Sequence, residues 1–133
     1  MRVLAAITLT IFLCAFSCED TEDINIDGTY TGEFYRLDPK QNYAVSNVTL
    51  TLSDGKFQGT SSAPKYPAIC KGTYSVDGRD VTFKDACYWT ADFDWSFILS
   101  GEFNVSGGKD SLVMSAPRGD GVRDVYRLRR QRQ

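Results

Sequence analysis

The sequence predicts an all-β protein, most specifically an eight-stranded antiparallel up-and-down barrel. Apolar and polar residues alternate along most of the chain from residue 28 onward, and no stretch shows a helical period. Turn signals rich in Gly and Asp separate the alternating stretches. Each stretch has one apolar face, which is typical of strands that close around an interior. A two-sheet β-sandwich produces the same pattern and is the alternative.

The first three strands are predicted at 29–37, 44–52 and 56–61. Their inward-facing residues are Tyr30, Gly32, Phe34, Val48, Leu50, Leu52, Phe57 and Gly59. A polar loop with Pro39 follows the first strand. Ser53-Asp54-Gly55 predicts a hairpin turn, because Gly and Asp tolerate the positive φ that such turns need.

The fourth and fifth strands are predicted at 70–76 and 79–84, after a loop that contains two prolines. A two-residue turn at Asp77-Gly78 joins them. This turn pairs Val76 with Arg79, Tyr74 with Val81 and Gly72 with Phe83. The apolar faces of the two strands coincide in this register, which supports it.

The longest predicted strand spans 93–105, with Gly101 as the point where it bends. Its apolar face consists of Phe93, Trp95, Phe97, Leu99, Phe103 and Val105. A glycine-rich turn leads to a seventh strand at 111–115. A loop at 117–121 precedes the eighth strand at 122–130.

Residues 1–17 are predicted to be a lipoprotein signal peptide. Arg2 is followed by 14 uncharged residues at 3–16, fewer than the roughly 20 that a spanning helix needs. Ala15-Phe16-Ser17-Cys18 resembles the lipobox of bacterial lipoproteins. The resemblance implies cleavage before Cys18, a lipid on its sulfur and a fatty acid such as palmitate on its amine. An ordinary secretory signal and a transmembrane anchor are the alternatives.

Residues 18–27 are predicted to be a solvated acidic tether, which leaves 28–130 for the barrel domain. Glu19-Asp20-Thr21-Glu22-Asp23 resembles the surface-export signal of Bacteroidetes lipoproteins. Together with the lipobox, this resemblance implies an outer-membrane lipoprotein on the periplasmic or cell-surface face. The membrane is then the first expected partner, through the lipid on Cys18.

The remaining cysteines predict a disulfide. Cys14 lies in the signal peptide and Cys18 carries the lipid, so Cys70 and Cys87 are left as a pair in an exported chain. In the predicted hairpin register they are diagonal neighbours. A bulge or loosened end near 85–86 is therefore expected, because an undistorted bridge needs closer partners.

Composition excludes several classes of function. Cleavage after 17 of the 133 residues leaves 116, enough for one small domain. Without Arg2 the chain has 14 basic and 17 acidic residues, which argues against nucleic acid as a partner. The chain has no histidine, so Ser-His-Asp, Cys-His and His-zinc chemistry are impossible. The sequence predicts no enzyme, no metal and no cofactor.

Both ends of the barrel domain resemble lipocalin-type barrels. Ile26-Asp27-Gly28-Thr29-Tyr30-Thr31-Gly32 resembles their Gly-x-Trp opening, with Tyr30 in place of Trp. Val125-Tyr126-Arg127-Leu128-Arg129 is similar to their last strand, which often carries an Arg that packs over the opening aromatic ring. The whole chain thus looks like a small lipocalin-like lipoprotein of Bacteroidetes. The resemblance implies a barrel that binds a small hydrophobic ligand at its mouth.

Four aromatic residues are the candidate ligand contacts: Tyr30, Trp89, Trp95 and Tyr126. Tyr88 and Trp89, beside Asp92 and Asp94, either form an exposed lip that suits a ligand or glycan, or cover one end of the barrel. Asp92 and Asp94 themselves are interpreted as part of the solvated polar face of a strand.

Two functional hypotheses follow. In the first, the lipoprotein binds a small apolar ligand inside the barrel. In the second, it is a structural or accessory lipoprotein with a filled barrel that binds a protein or glycan through its outer face. The inward set contains many large rings, which favours a filled core with at most a shallow site. These rings are Tyr30, Phe34, Phe57, Tyr74, Phe83, Trp95, Phe97, Phe103 and Tyr126.

Overall fold

A computed structural model describes residues 18–132 of the chain. The predicted signal peptide at 1–17 lies outside the described residues.

Eight antiparallel strands close into a barrel, and each strand pairs with its neighbours in the sequence. The circle is completed by β1 and β8, which pair over eight positions. The predicted up-and-down barrel is confirmed, because the strands of residues 18–132 form one closed barrel rather than the two sheets of a sandwich. The strands are β1 (Gly28–Leu37), β2 (Ser46–Ser53), β3 (Lys56–Ser61), β4 (Lys71–Asp77), β5 (Asp80–Asp85), β6 (Gly101–Ser106), β7 (Ser111–Gly119) and β8 (Val122–Arg130).

Two hairpins are closed by Asp-Gly turns with positive φ at both positions. Asp54 and Gly55 join β2 to β3 with φ of 52° and 77°. Asp120 and Gly121 join β7 to β8 with φ of 51° and 80°. This backbone is that of type I′ turns, whose twist matches the right-handed twist of the strands. The predicted Asp54-Gly55 turn is therefore confirmed.

The predicted register of the β4–β5 hairpin is wrong by two residues. The structure pairs Val76 with Val81, where the sequence predicted Arg79. The turn therefore consists of Gly78 and Arg79 rather than Asp77 and Gly78, and Gly78 has a φ of 61° at the first turn position. A shift of two residues keeps every side chain on the same face, so alternation alone does not distinguish the two registers.

The predicted strand at 93–105 is wrong in its first half. Residues Trp95–Phe97 form a short 3₁₀ helix, and β6 covers only Gly101–Ser106. Asp94 caps the helix, because its carboxylate accepts a hydrogen bond from the Ser96 N–H at 2.9 Å. Trp95 consequently points outward, and more than half of its surface is exposed.

The loop at 62–70 holds this helical segment in place through backbone contacts. The N–H of Ala68 donates to the carbonyl of Phe97 at 2.9 Å, and the N–H of Leu99 donates to the carbonyl of Ala68 at 3.0 Å. These bonds take the place of the strand-to-strand hydrogen bonds that residues 97–99 would make if β6 began earlier. They are contacts between loops far apart in the sequence, which a local pattern does not reveal.

The predicted loop at 117–121 is shorter than expected. β7 continues through Pro117 to Gly119, with a bulge between these two residues. Pro is compatible with a bulge, because one ladder hydrogen bond is already missing there. Only Asp120 and Gly121 remain as the turn.

Aromatic rings fill the barrel interior from one side to the other. The ring centroids of Tyr74 and Phe83 lie 6.1 Å apart, and those of Phe83 and Phe103 lie 5.7 Å apart. Tyr126 continues the series at 5.7 Å from Phe103 and 4.8 Å from Phe34. These separations are those of rings in direct contact, so the middle of the barrel is a packed core.

The two ends of the barrel differ. One end, which we call the terminal end, has the start of β1, the end of β8 and the turns at 54–55, 78–79 and 107–110. The opposite end, the loop end, has the turn at 120–121 and three longer loops. These loops span 38–45, 62–70 and 86–100.

The segment before β1 closes the terminal end. Ile26 is buried in the core and Ile24 packs against it. The Ile24 N–H donates to the carbonyl of Gly78 at 2.9 Å, and the Asp23 carboxylate accepts from the Gly78 N–H at 2.7 Å. The second half of the predicted tether at 18–27 is thus part of the folded domain.

Candidate functional site

A disulfide between Cys70 and Cys87 stands at the base of the loop end, as predicted. The observed hairpin register explains the pairing, because its continuation past Gly72 and Asp85 brings the two cysteines opposite each other. The Ala86 N–H donates to the carbonyl of Lys71 at 3.0 Å, which extends the ladder to the bridge. The Cα atoms of the cysteines are 6.3 Å apart, within the usual range. The bulge expected near 85–86 is not needed.

The loop at 86–100, which we call the aromatic loop, contains Cys87 of this disulfide and five aromatic residues: Tyr88, Trp89, Phe93, Trp95 and Phe97. Tyr88 is fully exposed. Trp89 is half-buried; its indole N–H donates to the Asp85 carboxylate at 2.8 Å, and its ring packs on Phe93 at 5.8 Å. Trp95 donates its indole N–H to the carbonyl of Thr90 at 2.9 Å. The polar atoms of both tryptophans are satisfied, so the exposed ring face of Trp95 is available to a partner.

Lys65 ties the aromatic loop to the loop at 62–70. Its ammonium lies 2.8 Å from the Asp92 carboxylate and 2.9 Å from the Thr90 hydroxyl. Hydrogen bonds from Lys65 and from Thr90 lower the pKa of Asp92 to about 2. The same ammonium lies 5.1 Å from the ring centroid of Phe93, a cation–π distance.

A buried ion network lies beneath the aromatic loop, at the mouth of the barrel. Arg36 donates to both oxygens of Asp124, at 2.6 and 2.9 Å, and Arg118 donates to the second oxygen at 2.8 Å. Arg36 is 6% exposed and Asp124 is 1% exposed. Burial opposes the charge of Arg36, but the hydrogen bond and the charge of Asp124 outweigh it and raise the pKa of Arg36.

Arg36 also holds the aromatic loop. Its guanidinium donates to the side chain and the carbonyl of Ser96, at 3.0 and 3.2 Å, and lies 3.8 Å from the ring centroid of Phe97. Sequence analysis did not single out Arg36 or Asp124. The alternation of inward and outward residues would have identified them, because it places Arg36 of β1 and Asp124 of β8 on the inward face, where a charged residue is unusual.

The four predicted ligand contacts are not brought together. Tyr30 and Tyr126 are buried inside the barrel. The Tyr30 hydroxyl donates to the carbonyl of Ile26 at 2.9 Å, and the guanidinium of Arg130 lies 5.1 Å from its ring centroid, at the terminal end. Burial raises the pKa of Tyr126 far above its usual value. Only Trp89 and Trp95 lie at the loop end.

The large apolar side chains that the described residues expose are concentrated at the loop end. They are Leu37 at 51%, Val45 at 58%, Trp95 at 56% and the fully exposed Tyr88. Exposed apolar patches mark interaction sites, and these four side chains all lie at the same end of the barrel. In residues 18–132, no group of three or more potential metal ligands occurs.

Comparison with known proteins gives no relative: no family model, no curated protein and no solved structure matches this chain. Among residues 18–132, no helix has the length and apolar character required to cross a bilayer.

Proposed function

We propose that this chain is a lipid-anchored, lipocalin-like bacterial lipoprotein whose filled barrel binds a protein or glycan partner through its loop end. The observation that carries the proposal is the placement of two features at opposite ends of the barrel. Cys18 precedes the segment that closes the terminal end and is exposed. The exposed apolar side chains lie at the loop end.

The anchor rests on the lipobox-like Ala15-Phe16-Ser17-Cys18. Several acyl chains at one residue give firm membrane attachment, because each buried CH₂ contributes about 0.8 kcal/mol. An anchor at Cys18 directs the terminal end toward the outer membrane. The aromatic loop then faces away from the lipid surface, where a partner reaches it.

The lipocalin-like character has support at the terminal end. The guanidinium of Arg130 lies over the ring of Tyr30, which occupies the place of the opening Trp in the resemblance. This contact is of the kind that the closing strand of lipocalin-type barrels makes. Arg130 lies one residue beyond the predicted closing motif at 125–129.

The filled interior favours the second functional hypothesis over the first. The ring contacts from Tyr74 through Phe83, Phe103 and Tyr126 to Phe34 occupy the space that a small hydrophobic ligand would need. Binding of such a ligand stays a prediction. The absence of enzymatic activity likewise stays a prediction.

The anchor is tested by growing a bacterial host that expresses the full chain with an alkyne-bearing palmitate. We expect the label on the wild-type protein, in the membrane fraction, and its complete loss in Cys18→Ser. The matched control is the Cys70→Ser/Cys87→Ser double variant, which lacks the two disulfide-bonded cysteines of the described domain and should keep the label. A Cys18→Ser protein that is still labelled would contradict the anchor.

The docking surface is tested by photo-crosslinking in cells. A photoreactive phenylalanine analogue at position 88 is compared with the same analogue at position 109, in the turn between β6 and β7 at the terminal end. We expect a discrete crosslinked product from position 88 that weakens in Trp95→Ala. A product formed only from position 109, or equally from both, would argue against docking through the loop end.

A further inference from the structure

Three adjoining clefts lie on the outer surface of β8, β1, β2, β3 and β4. One cleft of about 740 Å³ runs from β8 across β1 and β2 to β3. It shares Thr49 and Thr60 with a cleft of about 440 Å³ that reaches β4. That cleft in turn shares Thr51, Gln58 and Lys71 with one of about 550 Å³. We call these three joined clefts the side groove.

The side groove is lined by side chains that donate and accept hydrogen bonds. Thr31, Thr49 and Thr60 are direct partners across β1, β2 and β3, so their hydroxyls form one row. Thr51 and Gln58 form a second, parallel row on β2 and β3. Neighbouring strands are roughly 4.8 Å apart, so the rows offer polar groups at regular intervals across the barrel.

The charge of the side groove is opposite to that of the whole chain. The chain has a net charge of −2, whereas four cations and two carboxylates line the groove. The cations are Arg127, Arg129, Lys56 and Lys71, and the carboxylates are Glu33 and Asp54. Within residues 18–132, no carboxylate lies within 4.0 Å of the guanidinium of Arg127 or Arg129, although Glu33 is the ladder partner of Arg127. Both arginines are exposed and positioned to bind an anion.

The lining lacks the features through which two other polymers are commonly bound. Single-stranded nucleic acid is bound by stacking on exposed rings, but the aromatic residue of the groove, Phe57, is only 3% exposed. An extended peptide is bound by adding a strand to a free sheet edge, and the barrel is closed. Hydroxyl and amide side chains next to arginines that have no carboxylate partner within the described residues are complementary instead to a hydroxylated chain that carries carboxylates.

We propose that the side groove binds an acidic polysaccharide, with Arg127 and Arg129 on its carboxylates and the threonine rows on its hydroxyls. Guanidinium groups bind carboxylates through short, charge-assisted hydrogen bonds. Arg127, Arg129 and the threonine rows lie on strands, outside the aromatic loop, and occupation of the site does not depend on the lipid anchor. It is a second binding surface, on the side of the barrel.

The experiment is calorimetric titration of the full chain, purified in detergent, with oligogalacturonate. Maltooligosaccharide of the same length is the neutral probe and poly-glutamate is the polyanion without sugar. We expect binding of oligogalacturonate only, weakened by salt. Arg127→Gln/Arg129→Gln should lower the affinity by at least about tenfold, since hydrogen bonds to charged groups are strong. Glu33→Gln should raise the affinity, because a repelling carboxylate is removed.

Arg123→Gln is the matched control, because Arg123 is exposed on the same strand and lies outside the clefts. Its affinity should equal that of the wild type, and thermal unfolding verifies that each variant is folded. Absence of oligogalacturonate binding overturns the proposal. Equal binding of maltooligosaccharide or of poly-glutamate overturns the acidic-polysaccharide assignment. A loss in Arg123→Gln as large as in the double variant overturns the location, and Glu33→Gln tests it independently if the double variant does not fold.

Discussion

The buried pair of Arg36 and Asp124 determines how the barrel mouth is closed. Each group is removed from water, so its charge is tolerated only because the other is present. Arg118 adds a second donor to Asp124, and Ser96 accepts from Arg36, so the network joins β1, β7 and β8 to the aromatic loop. A single carboxylate thus positions the loop that bears the exposed rings.

Replacing this carboxylate by an amide should destabilise the protein strongly. In Asp124→Asn the buried guanidinium of Arg36 loses its counter-charge, and we expect a loss of about 3–5 kcal/mol in the free energy of unfolding. Urea unfolding measures it. Asp120→Asn is the control, because Asp120 is exposed at positive φ and Asn accepts that backbone; its change should stay within about 0.5 kcal/mol. Equal stabilities of the two variants would refute the role of the ion pair.

The contact between Lys65 and Asp92 makes the attachment of the aromatic loop sensitive to acid. The pKa of Asp92 is lowered from 3.8 to about 2 in the folded chain. A lowered pKa means that the contact stabilises fully above pH 3.8 and is lost as the pH falls toward 2. At neutral pH it is fully present.

Removing the ammonium should raise the pKa of Asp92. In Lys65→Met we expect it to move from about 2 toward 3.8, measured by NMR titration of the side-chain carboxyl. Asp94 is the internal control, because its pKa is lowered mainly by hydrogen bonds from the backbone and side chain of Ser96 rather than by Lys65. Its titration should be unchanged. An Asp92 that still titrates near 2 would show that Lys65 is not the main cause.

Inward-facing glycines allow neighbouring strands to approach closely at the corners of the barrel. A Cβ atom on Gly32 of β1 would lie 2.1 Å from the carbonyl oxygen of Arg127 on β8. A Cβ atom on Gly72 of β4 would lie 2.0 Å from the carbonyl oxygen of Lys84 on β5. Glycine at such positions lets the sheet bend sharply enough to close into a barrel, because it has no side chain that would clash with the neighbouring strand.

A methyl group at the β1–β8 corner should therefore be costly. Gly32→Ala places an atom against the backbone of β8, and we expect about 1–3 kcal/mol of destabilisation or more from overpacking. Gly108→Ala is the matched control, because nothing lies within 4 Å of its Cβ position. Thermal unfolding of both variants gives the comparison. If Gly32→Ala unfolds at the wild-type temperature, the corner is not tightly packed.

The molecule as a whole separates a packed interior from two kinds of outer surface. The core combines aliphatic side chains with a connected series of aromatic rings, the loop end exposes apolar side chains, and the side groove exposes hydroxyls and arginines. An eight-stranded barrel is just wide enough for its side chains to fill, which is the arrangement observed. Binding should therefore occur outside the barrel.

The packed core predicts that the wild-type protein does not take up small apolar ligands. Titration with the fluorescent apolar probe N-phenylnaphthylamine should show no saturable binding. Phe83→Ala is the matched variant, because Phe83 contacts Phe57, Tyr74 and Phe103. It should lose about 3–5 kcal/mol of stability and leave an apolar cavity. Saturable one-to-one binding to the wild type would instead support the small-ligand hypothesis.

Local alternation was sufficient to predict the eight strands and their inward faces, except at residues 93–100, which were predicted as strand but lie outside β6. The inward positions of β1 and β2 follow from a period of two residues, and this period requires no knowledge of distant contacts. The closed barrel followed from eight such strands in succession. The pairing of Cys70 with Cys87 followed from counting cysteines.

The tertiary structure decided what depends on distant parts of the chain. The β4–β5 register differs from the predicted one by two residues, a shift that leaves the alternation unchanged. The segment at 95–97 became a 3₁₀ helix because Ala68, Arg36 and Asp94 hold it there. The ion pair and the side groove arise only when strands from both halves of the chain meet. Sequence periodicity determines which face a residue is on, but only closure of the barrel determines what that residue contacts.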